Sequence, residues 1–198
     1  MSGKKSQIGV ILIIIGVLIL FYPAATAIYG NYYQNLLLKE IESKSESAPV
    51  RETVELQQEK GIKEKKVFPP TIIVISKIGL TQAVSEGISK EVLQKSPGHY
   101  PTSVNPGEIG YCAIAGHRVT YSKPFNRLSE LKKGDEITLK TPDNKFIYQV
   151  FSSKQIKATE KIALEESKDA KLILTTCAPK YHDSHRLIIK AALISDKN

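Results

Sequence analysis

Three residues in this chain carry the side chains that thiol acyl transfer needs. Cys177 closes the apolar run Leu174-Thr175-Thr176, His117 closes Ala115-Gly116, and Arg186 stands just before Leu187-Ile188-Ile189. A thiolate is the nucleophile in such chemistry, and a neighbouring imidazole takes its proton or holds it as an ion pair. The tetrahedral intermediate then carries an oxyanion, which a guanidinium can meet with several donors. Losing one such donor typically costs about 2.7–4 kcal/mol of transition-state stabilisation, so the arginine matters nearly as much as the nucleophile. Taken singly, each residue has an ordinary reading. A cysteine at a strand end is usually a small buried hydrophobe, and a lone arginine is usually a solvated charge. Their weight comes from all three standing where apolar runs end.

Those runs are the elements that must position them. Residues 71–76 and 78–84 are short β-branched stretches joined through Lys77, and both predict strands. Residues 89–95 predict a helical turn or two before Pro97-Gly98 stops it. Residues 111–115 read as a buried strand after the turn Asn105-Pro106-Gly107. Residues 136–140 and 146–151 predict a hairpin across 141–145. Residues 171–176 and 187–193 predict the last two strands, with 162–168 helical between the hairpin and these. Many short strands at close spacing argue for an all-β barrel or sandwich with short helices. A rigid strand that ends in a reactive side chain fixes its position while the loop beyond gives access.

Ahead of this domain, Lys4 and Lys5 precede an uncharged run over 8–29, rich in Ile, Leu and Val. About 20 apolar residues span a bilayer as a helix. Lysines on the near side place the N-terminus in the cytoplasm and the remainder outside. Tyr22, Tyr29, Tyr32 and Tyr33 cluster where an interfacial aromatic belt would lie. A cleavable signal peptide is the rival reading, since Ala25-Thr26-Ala27 resembles a cleavage site. Both readings export the domain. Residues 31–66 carry seven basic and seven acidic residues, the pattern of a solvated helix or flexible stalk. The expected organisation is therefore a cytoplasmic tip and anchor at 1–30, a polar stalk at 31–66 and a catalytic domain at 67–198.

The chain has 198 residues and a formal net charge of +8. That balance suits anionic surfaces such as lipid headgroups or cell-wall polymers. Nucleic acid is not an expected partner, because no zinc spacing, RNP-like motif or basic helix appears. His182, Asp183 and His185 match no tight zinc spacing, and neither a metal nor a cofactor is expected. His99, after Pro97-Gly98, reads as structural. Cys112 lies inside a predicted strand and reads as buried and reduced; a bridge to Cys177 would consume the nucleophile.

Thr175-Thr176-Cys177 followed by Arg186, with Gly116-His117-Arg118 upstream, resembles the signature of the sortase family. The similarity runs from about Thr71 to Leu193 and includes Pro97-Gly98-His99-Tyr100-Pro101 and the run from Gly116 to Leu128. It is most similar to class E, with class D next. Ala178 departs from class E, which tends to carry His directly after the cysteine. The absence of an Asp-Pro-aromatic lid motif argues against a pilus-polymerising class C enzyme.

The resemblance implies an eight-stranded sortase β-barrel preceded by one transmembrane helix, in a single-pass protein of the cell membrane. It implies that Cys177 attacks the Thr–Gly bond of a Leu-Pro-x-Thr-Gly or Leu-Ala-x-Thr-Gly sorting signal on a secreted surface protein. A thioacyl intermediate follows, which an amine of a cell-wall peptide or its lipid-linked precursor resolves. His117 is then the acid/base partner and Arg186 the oxyanion and substrate ligand. Tyr121 and Thr176 are candidate substrate contacts. The alternatives are a hydrolytic cysteine protease, which the order His before Cys separates from the papain type, and an inactive membrane-tethered binding domain.

Overall fold

The computed structural model describes residues 2–46, 67–160 and 167–197. Eight strands close into a barrel in the order β1-β2-β3-β4-β7-β8-β6-β5, with β5 returning to β1. Their ranges are β1 Thr71–Ile75, β2 Leu80–Glu86, β3 Gly98–His99, β4 Gly110–Ala115, β5 Glu136–Lys140, β6 Lys145–Lys157, β7 Ala170–Ala178 and β8 His185–Lys197. Closure leaves no edge strand unpaired, which removes the template for edge-to-edge association. Among the described residues two α-helices accompany the barrel, α1 Ser2–Glu46 and α2 Lys90–Lys95.

The seven strands expected from the sequence are all present. Three differences have physical causes. The 78–84 run begins as a 3-10 turn that ends at Gly79 in the left-handed region, so β2 starts at Leu80. β3 is only Gly98–His99, too short to leave a periodic pattern. β6 runs on to Lys157 because the far half of β8 pairs with it, Ser152 to Lys190 through Lys157 to His185. The helical turn expected over 162–168 lies mostly outside the described residues, and Ser167 and Lys168 are not helical.

Two pairings decide where the site lies. β4 and β7 run parallel, from Gly110 opposite Ala170 to Ala115 opposite Thr175. Both are covered on two faces, the usual condition of parallel strands, and read as near-continuous apolar runs. Cys112, Ile114, Leu172 and Leu174 point into the barrel core. Tyr111, Ala113 and Ile173 form a smaller cluster with Ile188 on the outer face. β8 then pairs antiparallel with β7 and sets Arg186 opposite Cys177.

α1 is a single helix from Ser2 to Glu46. The segment within it from Gln7 to Ser43 contains a stretch long and apolar enough to cross a membrane. Residues 31–46, expected as the start of a stalk, continue this helix, and α1 touches the barrel domain at β2 and α2. The rest of the expected stalk, 47–66, lies outside the described residues.

Candidate active site at the barrel rim

The parallel register carries His117 and Cys177 to the same place. Each lies two residues beyond the Ala115 and Thr175 pair. The ladder continues past the strand end through Gly116 N–H, which donates to Thr175 O at 3.1 Å. Thr176 Oγ1 closes the junction by donating to Gly116 O at 2.8 Å. Strand alternation then decides the faces. Leu174 and Ala178 belong to the inner core, so Cys177 faces outward, as Ile173 does. Gly116 is required here because a Cβ would come within 2.7 Å of the Phe125 ring. Phe125 is itself fully buried.

Arg186, as the cross-strand partner of Cys177, brings Nη1 to 3.6 Å from Sγ. The same nitrogen donates to Asp183 O at 3.3 Å, which ties the guanidinium to the β7–β8 loop. Cys177 is half-buried, and it and Cys112 are both free thiols. Burial pushes the Cys112 thiol far above its ordinary value, so it stays protonated. His117 is the reverse case for a base: burial pulls its imidazole below the usual histidine value, and Nε2 has no hydrogen-bond partner among the described residues. A neutral ring with a free nitrogen is the state that can accept a proton.

Two cavities meet at this pair. One, of about 240 Å³, is lined by Ile88, Leu93, Tyr100, Ala115, Cys177 and Arg186, with His117, Thr175 and Thr176 also in its wall. The other, of about 380 Å³, lies on the loop side, between Arg118, Val119 and Thr120 and the segment Tyr181, His182 and Asp183. Of the expected substrate contacts, Thr176 reaches the first cavity, but its hydroxyl already serves Gly116 O. Tyr121 packs against His117 in a tilted arrangement, with ring centroids 5.2 Å apart, and lines neither cavity.

Arg118 belongs to the Gly116-His117-Arg118 signature, but the sequence assigns it no role. It is 7% exposed, and its Nη1 donates to Cys177 O at 3.0 Å and Nη2 to Ser129 Oγ at 3.1 Å. Among the described residues no carboxylate forms an ion pair with it. A buried, unneutralised guanidinium therefore holds the backbone of the nucleophile itself. Its place beside His117 in that signature is the sequence signal, and burial cannot be read from adjacency.

A second group resembles a catalytic set. Glu86 Oε2 lies 2.6 Å from His99 Nδ1, and Ser103 Oγ lies 2.9 Å from His99 Nε2. Here the hydroxyl hydrogen goes to Tyr100 O and the oxygen accepts from Ala113 N–H. The imidazole is 2% exposed and stacked on Phe68. This group fastens β2, β3 and β4 together and is structural, as expected for His99.

The fold and the site define a closed eight-stranded barrel with a cysteine-centred site at one rim. The family follows from comparison: the sortase domain matches residues 73–194, so the chain belongs to the sortase family. Sortase D of Bacillus subtilis is 36% identical over 125 residues, which are 59% of this chain and 61% of that protein. A Clostridium perfringens sortase D5 transpeptidase superposes with a TM-score of 0.66 at 25% identity, covering 83% of this chain and 99% of that one. Sortase E from Streptomyces avermitilis superposes with a TM-score of 0.60 at 33% identity, covering 66% and 90%. The chain thus matches under two thirds of its curated class D relative, and it is similar to both class D and class E.

Proposed function

We propose that this protein is a sortase transpeptidase of the cell membrane, with Cys177 as nucleophile, His117 as acid/base and Arg186 as oxyanion ligand. The observation that carries the reading is the double register: β4–β7 pairing brings together the strand ends that lead to His117 and Cys177, which line the same cavities, and β7–β8 pairing sets Arg186 opposite Cys177. In the forward step the Cys177 thiol gives its proton to His117. Sulfur attacks the carbonyl carbon of the Thr–Gly bond, and the developing oxyanion is met by the Arg186 guanidinium. The tetrahedral intermediate collapses with proton return from His117 to the glycine amine, which leaves. A thioester remains on Cys177. An incoming amine repeats the sequence in reverse and gives a new amide.

The acyl donor in this reading is a Leu-Pro-x-Thr-Gly or Leu-Ala-x-Thr-Gly signal, held in the cavity between Ile88, Leu93 and Arg186. The acceptor is an amine of a cell-wall peptide or its lipid-linked precursor. The span at 8–29 anchors the protein with its N-terminus inside, and residues 67–198 act outside. The test is incubation of the full chain in detergent with both peptides and an amine acceptor. Ligated product should exceed hydrolysed product, and Cys177→Ala should abolish both. Hydrolysis without ligation would favour a protease instead, and no cleavage of either peptide would reject the assignment.

A further inference from the structure

The membrane-proximal helix does more than lead into the domain. Gln34, in the C-terminal half of α1, is 3% exposed and inserts its amide between two elements of the barrel side. Its Nε2 donates to Ala83 O at 3.2 Å and to Lys95 O at 3.0 Å, and Ala83 N–H donates to its Oε1 at 2.9 Å. One side chain therefore bonds to β2 and to the last residue of α2. Lys95 Nζ lies 5.0 Å over the Tyr33 ring, adding a cation–π contact at the same seam.

One helical turn earlier stands Gly30. A Cβ there would sit 2.5 Å from Ser122 N and 3.0 Å from Tyr121 C. The helix backbone thus rests directly on the backbone of the loop that follows His117. That loop is strained, with φ of +56° at Tyr121 and +49° at Lys123. Such conformations persist only when the surroundings hold them. Its aromatic residue, Tyr121, packs on the His117 imidazole. By contrast, a Cβ added at Gly9 or Gly16 of the same helix would meet nothing within 4 Å.

We propose that α1 is a positioning element of the active site: seated on the barrel by Gln34, it buttresses through Gly30 the Tyr121–Ser122 segment that holds His117 in place. Because Gly30 directly follows the apolar run 8–29, the same contact ties the His117 loop to the end of the candidate span. The inference rests on the transpeptidase reading for its kinetic arm and on the thiol chemistry of Cys177 alone for its second arm.

The test uses the full chain in detergent micelles, with Gly30→Ala, Gln34→Leu and the control Gly16→Ala. Two quantities are measured: kcat and KM for a peptide acyl donor, and the rate of Cys177 alkylation by iodoacetamide, mapped by mass spectrometry. Gly30→Ala adds one methyl group and favours the helix, yet should lower kcat about tenfold with KM changed less than about twofold, because a misplaced acid/base group costs rate rather than binding. It should also slow Cys177 alkylation, and Gln34→Leu should act in the same direction. Gly16→Ala should match wild type in both. If Gly30→Ala does not fold, Gln34→Leu carries the comparison. Kinetics and alkylation for Gly30→Ala or Gln34→Leu equal to those of Gly16→Ala would overturn the proposal. Should wild type alkylate at Cys177 but transfer no acyl group, the transpeptidase reading fails while the buttress is still decided by the alkylation arm.

Discussion

Cys112 and Cys177 carry the same thiol in opposite surroundings. The first is enclosed in the barrel core, where burial penalises the thiolate. The second is half-exposed at the rim, within 3.6 Å of a guanidinium. His117 supplies a pH test of the proposed roles. Its imidazole is depressed by burial, so it stays neutral and proton-accepting to a lower pH than an ordinary histidine, whose value is about 6.5. As pH falls through that depressed value the ring protonates and can no longer take the proton of Cys177. The acid limb of kcat/KM should therefore fall below pH about 6.5, as read from a rate profile with a constant peptide. An acid limb above that value would contradict His117 as the neutral base. At this scale the three chemical groups are legible as candidates, because each stands at the end of an apolar run. Arg118 is not, since its grip on Cys177 O depends on a burial that only the fold creates.

Among the elements, β4 and β7 do the positioning. Their apolar runs were visible as strands, but a run carries no information about its neighbour or its direction. The parallel register, which brings the strand ends leading to His117 and Cys177 side by side, arises from the whole barrel order. Gly116 is the tightest point of this arrangement, pressed on Phe125 and within 3.0 Å of Pro124 Cγ for any added Cβ. Gly116→Ala should cost about 1–3 kcal/mol through overpacking, measured by urea unfolding. Unchanged stability would mean that the loop gives way freely and that the strand end is not rigid. β3 and the outer half of β6 escaped the sequence for related reasons. Gly98–His99 is shorter than one period of alternation, and 152–157 is polar and mostly exposed, held as a strand by pairing with β8.

For the molecule as a whole, two units read separately from the sequence prove to be in contact. The apolar N-terminal run and the barrel domain were each evident from composition. The continuation of α1 beyond Gly30, and its seat at Gln34, were hidden in a segment of balanced charge that reads as spacer. A single glutamine among polar neighbours gives no sign that all its hydrogen-bonding atoms will be used. The proposal that this sortase-family barrel works through a thioester on Cys177 can be checked by mass spectrometry of the trapped intermediate. The full chain is mixed with a Leu-Pro-x-Thr-Gly or Leu-Ala-x-Thr-Gly peptide without amine acceptor, quenched in acid, digested and mapped. The expected result is a mass gain equal to the peptide acyl portion through Thr, located on the Cys177 fragment and discharged by added amine. An unmodified Cys177 fragment during turnover, or an adduct on any other residue, would contradict it.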